Sequence, residues 1–461
     1  MSTAILAEAM AGLELPDVPE NVRQAAKYVL LDSIACIIAA RDTEMAPIVA
    51  AAAGLLGPEA GDAYSHARLA DCMDFNEGYA GAHFGCGAVG ALLALAAHRP
   101  MDGATALAAL VAGFETGARI TQAIGPYYVD GPDGRPVFAP VWGIATQVAY
   151  ASVATTARAL GLDAAVTARA YDLAGSNSSL PIGGAWSAAI DLPNTKYCDA
   201  GWGALTGLFA ALSAQAGSTP VEGLLSGPNS LFAMLGAPNA DPSLAIAELG
   251  AAWHLTAARF KSWPCCGLIS GGMAALKGLV EAEGLSPADI EAMVVEVVPA
   301  IALPRFANIA PATFVARQFS LPHAAAMLLL DLPPSAAWLS PQVAAHPVTR
   351  SLREKIALRV YEGEEDLATR PCAVQARANG RIYAAGPGDV APPPSAFFDE
   401  QAVLRKFRAL VEPDTGEAII VAVMAIESRP DLRPLAAAIA AARPCPSLPA
   451  ALARLDALIP A

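Results

Sequence analysis

GATALAALVAGFETGARITQAI, from Gly103 to Ile124, is the stretch on which the fold turns. It is proline-free and alanine-rich, and its apolar residues recur with helical spacing, so it reads as a long buried helix. The same texture extends to both sides. Residues 20–40, 88–98 and 144–160 repeat it, and the last run stops at Gly161, as a left-handed C-cap requires. From about residue 4 to 216 such segments, about 11 to 22 residues long, are separated by Gly, Pro and Asp. Alanine lets helices approach closely, which predicts a compact multi-helix bundle.

The texture changes after residue 290. Residues 293–298 are rich in β-branched side chains, 355–361 alternate, and 374–383 form an alternating pair broken by Asn379-Gly380, a hairpin signal. The expected fold class is therefore mainly α with a smaller α+β part. Residues 1–264 and 396–461 form the expected helical large domain and 265–395 the inserted lid. Pro392-Pro393-Pro394 reads as a linker, with helix resuming at 401–411 and 434–442.

The chain has 461 residues, 55% hydrophobic and 16% charged, the balance of a folded protein with a large core. That length outgrows a single core, which again favours two domains or a sizeable insertion. With 29 Lys+Arg against 43 Asp+Glu, the net charge of −14 argues against nucleic acid as a partner. The uncharged stretches 137–157 and 201–221 carry Gly, Gln, Ser or Thr and read as buried helices, so no membrane partner is expected. Glu8 and Glu14 interrupt the N-terminal apolar pattern, and no secretory signal is expected. The 8 cysteines lack metal or disulfide spacing and the 6 histidines are dispersed, so no metal is expected and the compartment reads as cytoplasmic. No Walker loop, GxSxG or HExxH occurs.

Lysine is scarce: Lys27, Lys196, Lys261, Lys277, Lys355 and Lys406 are all there are. Two of them lie in loops that could carry chemistry. Lys196 stands in Pro193-Asn194-Thr195-Lys196-Tyr197-Cys198-Asp199, between a proline turn and a glycine-rich helix start. There it holds a carboxylate, steadies an enolate or acts as a base; the alternative is a surface lysine paired with Asp199. Lys261 stands in Lys261-Ser262-Trp263-Pro264-Cys265-Cys266-Gly267, at the expected domain junction, where ligand clefts are common. A third segment runs from Asp71 through Asp74 and Glu77 to His83-Phe84-Gly85. It offers carboxylates and an imidazole for proton transfer, or else capping acids and a packed histidine. Further candidates are Asn177 and Ser178 in Gly175-Ser176-Asn177-Ser178-Ser179, Ser270 after the cysteine pair, and Arg317 and His323 in Arg317-Gln318-Phe319-Ser320-Leu321-Pro322-His323.

Taken in order, these pieces resemble the MmgE/PrpD family, which includes 2-methylcitrate dehydratase, cis-aconitate decarboxylase and iminodisuccinate epimerase. The matching pieces are Leu31-Asp32-Ser33-Ile34-Ala35-Cys36, Met73-Asp74-Phe75, Leu160-Gly161-Leu162-Asp163, Ala174-Gly175-Ser176, Thr195-Lys196, Lys261-Ser262-Trp263-Pro264-Cys265-Cys266 and Phe319-Ser320-Leu321-Pro322-His323. The resemblance implies a helical large domain built from both chain ends, an α+β lid, a homodimer and no cofactor. This chain departs from the pattern at its histidines. Phe84 stands where a histidine usually follows Asp74, with His83 one place early. Val141-Trp142-Gly143 replaces a His-Pro, Asp199 replaces a histidine three residues after the lysine, Ser270 stands near another, and His323 replaces a frequent tyrosine.

Each charge-assisted hydrogen bond contributes about 1.5–3 kcal/mol, so several lost imidazole donors speak against a tricarboxylate substrate. The expectation is a lyase of dehydratase or decarboxylase type, distinct from an ordinary 2-methylcitrate dehydratase, acting by proton abstraction on a small carboxylate or carbonyl compound. In it Asp74 or His83 moves the proton, Lys196 and Lys261 stabilise enolate-like charge, and Asn177 and Arg317 position the substrate, with Ser178, Cys266, Ser270 and His323 as further site residues. An isomerase, epimerase or cyclase of a small acid, and a catalytically silent dimeric binding protein, are the competing readings.

Overall fold

The structure, a computed structural model, describes residues 2–132, 134–363, 370–389 and 399–459. The proline run at 392–394 lies outside the described residues.

The Gly103–Ile124 helix forms as read, and nearly every residue of it is buried. Asp102 caps its N-terminus by accepting from the Thr105 N–H at 2.8 Å, and Gly125, at φ +82°, ends it. Its neighbours are the Ala145–Ala159 and Gly85–His98 helices. Around this centre pack the Glu20–Ala40, Pro58–Cys72, Ala164–Ser176 and Ala200–Gln215 helices. The Gly85–His98 helix starts three residues before the expected 88, because Gly85 and Gly87 serve close packing instead of a loop. Gly161 takes the expected left-handed conformation, at φ +64°.

The stretch 137–157 is divided between a strand, a loop and a helix, and the helix in 201–221 ends at Gln215. Among the described residues no helix is long and apolar enough to cross a membrane.

Two sheets interrupt the helices. β1 (Tyr128–Asp130) and β2 (Pro136–Phe138) form a short antiparallel hairpin that the sequence pattern did not announce. β3 (Ile290–Val297), β4 (Ile356–Val360), β5 (Ala373–Ala378) and β6 (Arg381–Ala385) form one mixed sheet in the order β4-β3-β5-β6. β3 runs parallel to β4 and antiparallel to β5. The β5–β6 hairpin turns at Asn379 and Gly380, both at positive φ (52° and 71°), as a two-residue primed turn demands. Ile290, Met293, Val295 and Val297 are the buried residues of β3, and the Ser270–Glu283 helix packs against the sheet.

One apolar cluster extends from Leu15 to Leu455 and includes side chains of both bundle and sheet; a second, around Leu6, Tyr150, Tyr171 and Phe232, fills the outer helices. Each fully buried Leu, Ile, Val or Phe in them contributes about 1.5–3 kcal/mol. The Glu400–Leu410 helix returns to pack on Glu20–Ala40, so late sequence touches the first long helix.

Candidate active site

The Pro58–Cys72 helix carries Asp71 in its last turn. The chain then bends sharply, with Asp74 in the left-handed region at φ 52°, where aspartate is among the better-tolerated non-glycine residues. The following loop is laced to the segment before Lys261 by paired backbone bonds, Gly78 N–H to Arg259 O and Arg259 N–H to Gly78 O, each 2.9 Å. Gly85 is required here, since a Cβ would lie 2.1 Å from Glu77 Oε1. Asp199 caps the Ala200–Gln215 helix through Gly201 and Trp202 N–H, which fixes the loop that delivers Lys196.

The result is a buried charge cluster. Lys196 Nζ lies 2.9 Å from Asp71 Oδ1 and 2.6 Å from Asp74 Oδ1, and it also donates to the Asp71 carbonyl at 3.3 Å. Its three N–H donors are thereby used, and it is 1% exposed. Lys261 Nζ lies 2.9 Å from Asp74 Oδ1 and donates to the Asp74 carbonyl at 2.9 Å. One of its donors is spare, and it is 8% exposed. The alternative of a surface Lys196 paired with Asp199 is thus overturned; Asp199 is spent on capping and faces Arg68 and Tyr64.

Burial would raise the Asp74 pKa, but the Lys196 and Lys261 ammonium groups outweigh it and hold the carboxyl well below its ordinary range. Lys196 is held well above its own, because Asp71 and Asp74 overcome the cost of burial. Asp74 therefore stays ionised at neutral pH, which makes it the poorer proton carrier of the two groups expected to move the proton, Asp74 and His83.

His83 has the complementary properties. Its Nδ1 lies 3.0 Å from the Glu77 carbonyl. A carbonyl only accepts, so Nδ1 carries the proton and Nε2 keeps its lone pair. Nε2 is 3.7 Å from Asp74 Oδ1. Burial, reinforced by Lys261 and Lys196, pushes the imidazole down to about 4 and leaves it neutral at pH 7. Phe84 turns the other way, packing on Phe114 (ring centroids 5.0 Å) and over Gly117. His83, one place early in the sequence, is thus the imidazole that faces the charge cluster.

Cys266 is buried, and its thiol is pushed up to about 11 by burial and by Asp74. Its backbone N–H donates to the Gln318 carbonyl at 2.9 Å. All eight cysteines are free. Ser270 is buried and opens the Ser270–Glu283 helix next to this loop.

Four other candidates are spent elsewhere. The Asn177 amide is exposed and donates to Leu173 O at 2.8 Å, and Ser178 Oγ donates to Ala174 O at 3.0 Å, both closing their own helix. The Arg317 guanidinium donates to the carbonyls of Leu339 and Ala312 and pairs with Glu44 at 2.9 Å. His323 Nε2 lies 2.7 Å from the Trp338 carbonyl, in a site whose burial pushes the ring down to about 3.

Two residues went unread in the sequence. Gln318, next to Arg317, donates to Cys72 O at 2.7 Å and so braces the turn before Asp74. Arg305 is 6% exposed, donates to Ser187 O at 3.0 Å, and stacks over Phe138 and Phe306. Gln318 stands inside the segment that carries Arg317 and His323 but was not singled out there; Arg305 belongs to no motif, and only the scarcity of cations could have drawn attention to it.

Aromatic rings wall the cluster. Tyr197 lies beside the Lys196 ammonium and packs on Trp186 and Trp142, with centroids 5.2 and 5.1 Å away. An apolar pocket lined by Ile124, Tyr127, Trp142, Thr146 and Leu235 shares Trp142 with this wall. The imidazole expected by resemblance at 141–143 is replaced by an indole.

Comparison with known families places residues 4–242 in a model described as the MmgE/PrpD N-terminal domain and residues 263–427 in one described as the MmgE/PrpD C-terminal domain. No curated protein matches the chain.

Proposed function

Because the chain belongs to the MmgE/PrpD family, we propose that it is a lyase that removes water from a small hydroxy acid by abstracting a proton next to a carboxylate or carbonyl. The observation that carries this reading is the His83 imidazole, anchored through Nδ1 on the Glu77 carbonyl with a bare Nε2 turned to the Lys261–Asp74 pair. Nε2 takes the proton from carbon, and the negative charge that develops is met by the spare N–H of Lys261. As the carbon–oxygen bond breaks, the imidazolium returns the same proton to the departing hydroxide, and water leaves with the alkene. Lys196 and Asp71 hold Asp74, and through it Lys261, in place. One imidazole suffices for this sequence, whereas a tricarboxylate would ask for the cationic donors that this chain lacks.

The test is incubation with a panel of small hydroxy acids in D₂O, followed by proton NMR. Loss of water with a new vinylic signal is expected, and His83→Gln lowers its rate about 10²- to 10⁴-fold. Deuterium exchange without loss of material would assign an isomerase instead. Silence across the panel would move the protein to the binding class.

A further inference from the structure

Arg305 lies between β3 and the 314–319 helix, and its guanidinium is buried without an acidic partner among the described residues. One nitrogen donates to the Ser187 carbonyl at 3.0 Å, and Nε is buried with no hydrogen-bond partner. The plane is packed against two rings, 5.2 Å from the Phe138 centroid and 4.7 Å from that of Phe306. The titratable groups that face it are Cys266 and Tyr128, both pushed up by burial, to about 11 and about 12, and hence neutral. Every other fully buried cation of the candidate site has a carboxylate: Lys196 has two and Lys261 has one. A buried charge without a counter-ion is among the most costly features a fold can keep.

A run of rings links this guanidinium to the charge cluster: Phe138, beneath Arg305, packs on Trp142 with centroids 5.6 Å apart, and Trp142 packs on Tyr197, which lies beside the Lys196 ammonium. We infer that Arg305 is the receptor for a substrate carboxylate remote from the reacting carbon, so that the site takes a dicarboxylate, one end on Arg305 and the other on Lys261. This rests on the reading of Lys261 and His83 given above. The planar fork with free Nε suits a planar carboxylate, which it can bind through two parallel hydrogen bonds, better than a tetrahedral anion. It also fits the replaced histidines: two cations reaching the substrate match two carboxylates, not three.

The experiment is calorimetric titration of the purified full chain, wild type and the variants Arg305→Gln, Arg305→Lys and Lys261→Met, with acetate, succinate and inorganic phosphate. Succinate is expected to bind the wild type at least about tenfold tighter than acetate. Arg305→Gln should remove that advantage and leave acetate unchanged, while Arg305→Lys, which keeps the charge without the fork, restores part of it. If Arg305→Gln retains the preference for succinate, the Arg305 assignment is overturned, and weakening of both acids by Lys261→Met then leaves the lyase reading standing. If neither variant alters binding, or the wild type binds no carboxylate, both assignments fall. Phosphate bound as tightly as succinate, and lost with it in Arg305→Gln, would overturn the carboxylate assignment in favour of a general anion site. Thermal melting of each variant shows whether it is folded; an Arg305→Gln chain that fails to fold while Arg305→Lys folds and binds succinate no better than acetate also overturns it.

Discussion

Lys196 and Lys261 reach the same oxygen of Asp74, yet only Lys261 has a donor left over. The two lysines should therefore fail differently. Lys196→Met leaves Asp71 and Asp74 buried at 0% and 1% exposure with half their compensation gone, and breaking such a pair costs about 3–5 kcal/mol. The expected result is a large loss in denaturant midpoint. Lys261→Met leaves Asp74 still paired with Lys196, so its loss should fall mainly on turnover and substrate binding, with a smaller change in midpoint. Equal stability losses in the two variants, with equal activity, would contradict this division. Lysine scarcity made both residues legible. What could not be read was side-chain direction. Arg317 and Gln318 are adjacent on one short helix, and a rotation of one residue sends the guanidinium to Glu44 and the amide to the turn before Asp74. Asn177, Ser178 and His323 bond to nearby carbonyls, an outcome that short polar side chains at helix ends share with ligand-binding ones.

At the scale of elements, the decisive piece is the loop from Asp74 to His83, which is held from behind by a helix far away in sequence. Lys406, on Glu400–Leu410, pairs with Asp32 of Glu20–Ala40 at 2.7 Å. It also donates to the Phe75 carbonyl and lies 3.9 Å from the Phe75 ring centroid. Ser33, next to Asp32 on the same helix, donates to Glu77 Oε2 at 3.1 Å, and the Glu77 carbonyl orients His83. Lys406→Met should cost about 3–5 kcal/mol, because Asp32, at 0% exposure, loses its counter-ion. The double variant Asp32→Asn/Lys406→Met should recover much of that loss in a denaturation cycle, since no buried charge is left unpaired. Additive losses would show that the two residues do not act as a pair. Helices and the Asn379-Gly380 hairpin were legible because periodicity and turn chemistry are local. The clamp was not, since it joins residues 32, 33, 75, 77 and 406, and no local pattern links them.

For the whole molecule, an interior this apolar makes stability depend on pH through a few buried groups, and their signs can be worked out. Burial pushes His66, His83 and His323 down to about 4, 4 and 3. Each stays neutral in the folded chain while the unfolded chain takes a proton below about 6.5. Their contribution is therefore present above that pH and is lost as pH falls from 6.5 toward 4. Glu77 and Glu115 act in the opposite sense. Burial pushes them up to about 8 and about 7. They keep a proton that the unfolded chain releases above about 4.5, so their contribution is full below 4.5 and lost as pH rises through 7 and 8. Between 4.5 and 6.5 the two sets oppose each other; above 6.5 only the carboxyls still titrate, and below 4.5 only the histidines. The midpoint of urea unfolding should accordingly be highest near pH 6 to 6.5 and fall on both sides. Each group fully in its window changes the free energy by about 1.4 kcal/mol per pH unit. Glu77→Gln should flatten the fall between pH 6.5 and 8.5 and steepen the rise between 4.5 and 6.5, whereas His323→Gln should flatten the acid limb and leave the alkaline one. A wild-type profile that rises steadily from pH 6.5 to 8.5, or a Glu77→Gln profile parallel to the wild type there, would show that Glu77 is already ionised in the folded protein.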